Sequence, residues 1–124
     1  MTSRILVVDR NEAFATMLEQ MLEEEGDYRV QTVHTGSDAL SVLRQTNFDL
    51  TIIDMDLDRS DMDYRQLVPK IRQLEPNMRV MLIPMMGEEL PPQAHQLNIQ
   101  GALSKPFFAD DLLPNIRDTL TKPI

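Results

Sequence analysis

The stretch Leu50-Thr51-Ile52-Ile53-Asp54 is a short apolar and β-branched run closed by a carboxylate. It has the length of a strand rather than a helix, and its β-branched side chains suit a pleated surface. Nothing in it alternates between apolar and charged, so both of its faces are expected to be covered, as in a parallel sheet flanked by helices. Upstream, Ile5-Leu6-Val7-Val8-Asp9 has the same form. Between the two, Phe14, Met17, Leu18, Met21 and Leu22 fall on one helical face, with Gly26 expected as the C-terminal cap. Arg29 to His34 then has strand composition, and Gly36-Ser37 leads into a helix carrying Ala39, Leu40 and Leu43.

The pattern continues beyond Asp54. A helix is predicted from about Tyr64 to Leu74, with Pro69 either in its first turns or kinking it, and Arg79 to Ile83 is a fourth strand. Pro91-Pro92 opens a short fourth helix ending before Gly101, Ala102-Leu103-Ser104 is a short fifth strand, and Asp110 or Asp111 caps a last helix with Leu112, Leu113, Ile116 and Leu120 inward. Five strands alternating with five helices predict an α/β, doubly wound parallel sheet, since parallel pairing requires a crossover. In such a sheet the ligand site lies beyond the carboxyl ends of the strands, where Asp9, Asp54, Pro84 and Lys105 stand.

Composition narrows the function. The 124 residues, 42% of them apolar, suit a single domain spanning 1–124 with its own core, and no linker or repeat divides them. A formal net charge of −8 repels phosphate backbones, so direct nucleic-acid binding is not expected. The absence of cysteine removes disulfides, thiol catalysis and cysteine-ligated zinc. The run Ile5 to Val8 is too short for a signal-peptide core, and no stretch is long enough to cross a membrane; a cytoplasmic protein is expected. Any output domain is expected outside this chain.

A carboxylate at the end of a central strand, such as Asp54, can attack phosphorus once a cation offsets the repulsion between the two anions. Asp9 is placed to help hold that cation, and Lys105 can meet phosphoryl oxygens as a compact positive charge. A lone aspartate after a strand is ordinarily a cap or a loop residue. Three such groups from separate strands make the stronger case.

Ile5-Leu-Val-Val-Asp9, Leu50-Thr-Ile-Ile-Asp54 and Ser104-Lys-Pro-Phe107 resemble the receiver domain of two-component response regulators, with Asp54 and Lys105 separated by 51 positions. The resemblance spans essentially the whole chain. It implies the flavodoxin-like strand order 2-1-3-4-5 and phosphoryl transfer to Asp54 from a histidine kinase or phosphotransfer protein. It implies Mg²⁺ held by Asp9, Asp54 and the backbone carbonyl of Asp56, Lys105 pairing with the phosphoryl group, and a cis peptide between Lys105 and Pro106. Catalysis would be limited to self-phosphorylation and self-dephosphorylation. An output domain, a partner protein or a second copy of the chain are the assemblies left open.

Three positions depart from the family. Receivers carry a second acid directly after the first, whereas this chain has Arg10. At an effective dielectric of about 20, unit charges about 4 Å apart interact by about 4 kcal/mol, and a divalent ion doubles that. A cation there is expected to weaken Mg²⁺ binding, with Glu12 or Asp56 as candidates to supply the missing charge. Arg10 is read either as a solvated loop cation or as an ion pair with Asp54 or Asp9 that stands in for the metal. The family's switch hydroxyl falls at Pro84, followed by Met85 where a small residue lets phosphate approach, and its switch aromatic falls at Ala102. The resemblance therefore divides into an ordinary phosphoacceptor and a degenerate receiver that binds a partner without phosphate, the substitutions leaning toward the second.

Two rival motifs overlap this region. Asp54-Met-Asp56-Leu-Asp58 resembles the opening of an EF-hand calcium loop, but Arg59 stands where that loop needs glycine and Arg65 where it needs glutamate. It also resembles the nucleophile motif of haloacid-dehalogenase-like phosphohydrolases. That motif ordinarily begins the fold and has Thr or Val where Asp58 stands. The acidic run Asp56, Asp58, Asp61 and Asp63 reads as a solvated connection. Met81, Met85 and Met86 read as adaptable core, and His34 and His95 as structural or surface residues. Of Phe107 and Phe108, one ring is expected to pack inward while the other helps form a dimer or partner face.

Overall fold

The computed structural model describes residues 2–124. Five strands form one parallel sheet: β1 (Arg4–Val8), β2 (Arg29–Val33), β3 (Leu50–Asp54), β4 (Arg79–Ile83) and β5 (Gly101–Ala102). Their order is β2-β1-β3-β4-β5. Four α-helices cover the sheet: α1 (Glu12–Glu24), α2 (Gly36–Gln45), α3 (Tyr64–Leu74) and α4 (Ala109–Thr121). The segment expected as the fourth helix is a 3₁₀ helix, Pro92–Leu97.

Each central strand divides its side chains between two cores. Leu6, Val8, Ile53, Val80 and Leu82 meet α2 and α3 through Ala39, Leu40, Leu67, Val68 and Ile71. Ile5, Val7, Leu50, Ile52, Met81 and Ile83 meet α1 and α4 through Ala15, Leu18, Leu22, Leu112 and Ile116. Because β1 and β3 are buried on both faces, their sequences show no alternation. The direction of winding reverses where β1 lies beside β3, and a crevice opens there at the strands' carboxyl ends.

The weakly patterned parts differ from expectation. β5 is Gly101-Ala102, with Leu103 and Ser104 beyond it. Gly101 leaves no room for a side chain, since a Cβ would sit 3.0 Å from the Met81 methyl and closer still to the Thr119 hydroxyl. Gly26 does not provide the left-handed residue after α1; that is Asp27, with φ 59°. Gly26 instead admits the Tyr28 ring, which would lie 2.7 Å from an added Cβ. The cap of α4 falls at Phe108, whose N–H donates to Asp111 Oδ2 at 2.9 Å, so Asp111 serves from the third helical position rather than as the cap itself. Pro69 is the sixth residue of α3, in its second turn. No described helix is long and apolar enough to cross a membrane.

Candidate functional site

Asp9 follows β1 directly, and its N–H extends the ladder to the Val33 carbonyl at 3.0 Å. Its Oδ1 accepts the Asn11 N–H at 2.9 Å, while Asn11 Oδ1 accepts the Phe14 N–H at 3.0 Å and caps α1. The Asp9 side chain is 2% exposed and its Oδ2 has no hydrogen-bond partner. Burial, reinforced by the neighbouring Asp54 carboxylate, pushes the Asp9 carboxyl up to about 6; the Asn11 N–H and Lys105 oppose this.

Asp54, the last residue of β3, is also 2% exposed. Its Oδ1 accepts the Asp56 N–H at 2.9 Å, and its Oδ2 meets Lys105 Nζ at 2.5 Å. Lys105 arrives from beyond β5, after Leu103 N–H bonds the Leu82 carbonyl at 3.3 Å, and the Lys105–Pro106 peptide is cis. The fold thus brings Asp9, Asp54 and Lys105 together from three strand ends. Two neighbouring buried carboxylates, one with an orphaned oxygen, suit a cation. A donor set of so few side chains suits one that keeps several of its waters.

Arg10 is a solvent-exposed loop cation, the first of the two expected courses, and not the stand-in for a metal. Its guanidinium lies 3.4 Å from Asp56 Oδ1, across the mouth of the site, and pairs with neither Asp54 nor Asp9. Both partners are about half exposed, so the pair itself contributes at most about 1 kcal/mol. The position beside Asp54, one of the two offered for Arg10, belongs to Lys105. Neither candidate for the missing acid is free at the centre: Asp56 faces Arg10, and Glu12 points outward, 4.0 Å from His34 Nε2.

Pro84 is buried just past β4. Met85 and Met86 follow it and line an open cleft of about 530 Å³ with Asn11, Phe14, Asp56, Glu88 and Lys105. Ala102 pairs with Leu82 in the β4–β5 ladder and offers no ring. The acidic run is a largely solvated connection, as expected, and local hydrogen bonds order it. Asp58 accepts from Ser60, which holds its carboxyl below the ordinary range. Asp61 accepts from the Ser37 N–H and hydroxyl at the start of α2, and Asp63 caps α3.

His34 is closer to the site than its sequence suggested, with Nδ1 2.9 Å from the Asp9 carbonyl oxygen. His95 lies exposed on the 3₁₀ helix. Phe107 packs inward and Phe108 is exposed. Two residues that sequence reasoning passed over belong to the site. Asn11 was legible as a capping residue at the head of α1 and two positions after Asp9, a spacing that allows an Asp side chain to accept its N–H. Phe14 gave only the signal of a core position, yet its ring faces Lys105, with Nζ 4.1 Å from the ring centroid.

The sequence pattern of the response regulator receiver domain matches residues 5–117. Among solved structures, the chain is similar to a CheY-like response regulator receiver domain protein from Methanospirillum hungatei JF-1. The two are 28% identical over 97% of this chain and 94% of the other, with a TM-score of 0.84. A CheY-like receiver domain from Methylobacillus flagellatus is 25% identical over 96% and 99%, with a TM-score of 0.83. The signal receiver domain of an HD domain-containing protein from Pseudomonas fluorescens Pf-5 is 26% identical over 97% and 95%, with a TM-score of 0.82. No curated protein matches the chain.

Proposed function

The chain belongs to the response regulator receiver domain family, and on that premise we propose that it serves two-component signalling by taking a phosphoryl group onto Asp54, with a readout that bypasses the Pro84 and Ala102 positions. The observation that carries this reading is the pairing of buried Asp54 with Lys105 beside an unpartnered Asp9 oxygen.

In this reading an Asp54 carboxylate oxygen attacks phosphorus, the bond from phosphorus to the donor's leaving group breaks, and the leaving group departs with its electron pair. Lys105 releases the carboxylate and meets the phosphoryl oxygens. The Asp56 N–H holds the second carboxylate oxygen so that the nucleophile keeps its aim. Mg²⁺, held by Asp9, Asp54 and the Asp56 backbone carbonyl, would offset the charge of the phosphoryl oxygens when bound. Arg10 opposes that ion and draws on the Asp56 carboxylate, so a high Mg²⁺ requirement is part of the reading. The donor is a histidine kinase or phosphotransfer protein, and turnover is confined to forming and losing the Asp54 adduct.

Pro84 supports a second reading, in which the domain binds a partner without phosphate. It is buried where the family has a hydroxyl, and no donor there can follow the phosphoryl group. Intact mass after incubation with acetyl phosphate and a Mg²⁺ series, with Asp54→Asn beside it, separates the two. An adduct present in the wild type and absent from the variant supports the phosphoacceptor; no adduct at any Mg²⁺ concentration in a folded sample supports the second reading. A chromogenic phosphate ester is expected to remain uncleaved, and steady hydrolysis would instead favour a haloacid-dehalogenase-like activity.

A further inference from the structure

The Lys105 ammonium is held on two sides. Asp54 Oδ2 accepts from it at 2.5 Å, and the ammonium lies over the face of Phe14, with the ring centroid 4.1 Å away. That is well within the distance at which a cation is attracted to the negative face of an aromatic ring. The Lys105 side chain is only 15% exposed, so little water competes for the charge. Phe14 is itself fixed from both directions. Asn11 caps α1 through the Phe14 N–H, and the Phe107 ring meets Phe14 edge to face, with centroids 5.8 Å apart and planes at 81°. The first turn of α1 and the end of β3 therefore close on the ammonium as two arms of a clasp, with Phe107 backing the Phe14 ring.

Packing alone does not call for an aromatic at position 14, because a leucine would also fill a half-buried position on the inner face of α1. The ring adds a hold on a flexible cation. A lysine has four rotatable methylenes, and here several carboxylates compete for its charge: Asp9 in the pocket, and Asp56 and Glu88 at the cleft. A hydrogen bond to Asp54 must be released when the phosphoryl group arrives. The attraction of a ring face has no single acceptor direction, so it persists while the hydrogen-bond partner changes.

We propose that Phe14, propped by Phe107, is a positioning residue for Lys105, keeping its ammonium at the cleft as it passes from Asp54 to an incoming phosphoryl oxygen. This rests on the reading of Asp54 as phosphoacceptor, but the clasp itself can be read in the unphosphorylated chain. In the wild type the Lys105 ε-methylene protons are shifted upfield by the Phe14 ring current. Phe14→Leu abolishes that shift and slows adduct formation from acetyl phosphate by roughly 5- to 20-fold, whereas Phe14→Trp retains both. Pentafluorophenylalanine at position 14 keeps the shape while reversing the charge of the ring face, and it slows the reaction as leucine does.

A folded leucine variant with the wild-type rate overturns the proposal, as does a tryptophan variant slowed as much as the leucine one. If the wild-type chain forms no adduct, the reading of Asp54 fails on its own. The clasp is then judged by the methylene shift and by urea unfolding. Phe14→Leu should lower the midpoint more in the wild type than in a Lys105→Met background, and equal losses would refute it.

Discussion

The pocket around Asp54 and the region past β4 and β5 lie at the same carboxyl end of one sheet, yet they are built by opposite means. Around Asp54 the charged atoms are held by named partners: Oδ1 by the Asp56 N–H two residues on, Oδ2 by Lys105 from beyond β5, and Lys105 in turn by Phe14 of α1, while Asp9 Oδ2 beside them is unpartnered. At the ends of β4 and β5 stand Pro84 and Ala102, which bring neither a hydroxyl nor a ring. Buried charges depend on their partners, so an altered residue in the pocket leaves another group unpaired. An apolar replacement at the edge of the sheet leaves nothing unsatisfied. The Asp54–Lys105 geometry can therefore persist whatever stands at positions 84 and 102, and the two regions are separable by mutation.

The largest expected effect is in the pocket. Lys105→Met leaves the Asp54 carboxylate buried without its cation and should cost about 3 kcal/mol in denaturant unfolding, besides slowing adduct formation. A loss below 1 kcal/mol would mean that Asp54 is far better hydrated than its burial indicates.

Asp9→Asn should act in the opposite direction. The folded-state value of Asp9 is about 6 against an ordinary 3.8, so the stability carried by its neutral form is full below pH 3.8 and lost as pH rises through 6. Without Mg²⁺ at pH 7, Asp9→Asn should therefore stabilise the chain by about 2–3 kcal/mol relative to wild type. That gain should vanish near pH 4. A variant equally stable to wild type at both pH values would contradict the crowding of Asp9 and Asp54. The same change should abolish any dependence of the adduct on Mg²⁺.

Arg10→Asp tests the rim. Arg10 is half exposed, so screening reduces its repulsion well below the unscreened value, and Mg²⁺ affinity measured by titration calorimetry should rise by roughly tenfold. An unchanged affinity would show that Arg10 is electrostatically remote from the ion. The smallest effect belongs to the region past β4. Pro84→Thr restores a hydroxyl without its aromatic partner at Ala102, and the adduct rate should stay within roughly twofold of wild type. A larger change would join the two regions that the comparison separates.

Most of the fold was legible because a two-sided core writes itself into sequence. β1, β3 and β4 are built on apolar and β-branched runs, and α3 keeps to Tyr64–Leu74. The segment from Pro91 to Ser104 was least legible. A two-residue strand and a 3₁₀ helix bury few side chains, and they are held by contacts distant in sequence. Arg72 of α3 donates to the carbonyls of Leu97 and Asn98 and to Gln100 Oε1. No local pattern announces such a tie.

The site divides in the same way. Asp9, Asp54 and Lys105 could be named from the sequence, because each ends an apolar strand run and strand ends in a doubly wound sheet converge. Arg10 and Phe14 could not be placed so. An arginine after a strand can reach several carboxylates, and only the folded geometry awards Asp54 to Lys105 and leaves Asp56 to Arg10. An aromatic on a helix face reads as core until its ring is seen against a cation. Hydrophobic periodicity is a property of neighbours along the chain and is carried by the sequence itself. The choice of partner for a charge is a competition across the folded structure, decided by distance and burial that exist only once the strands are side by side.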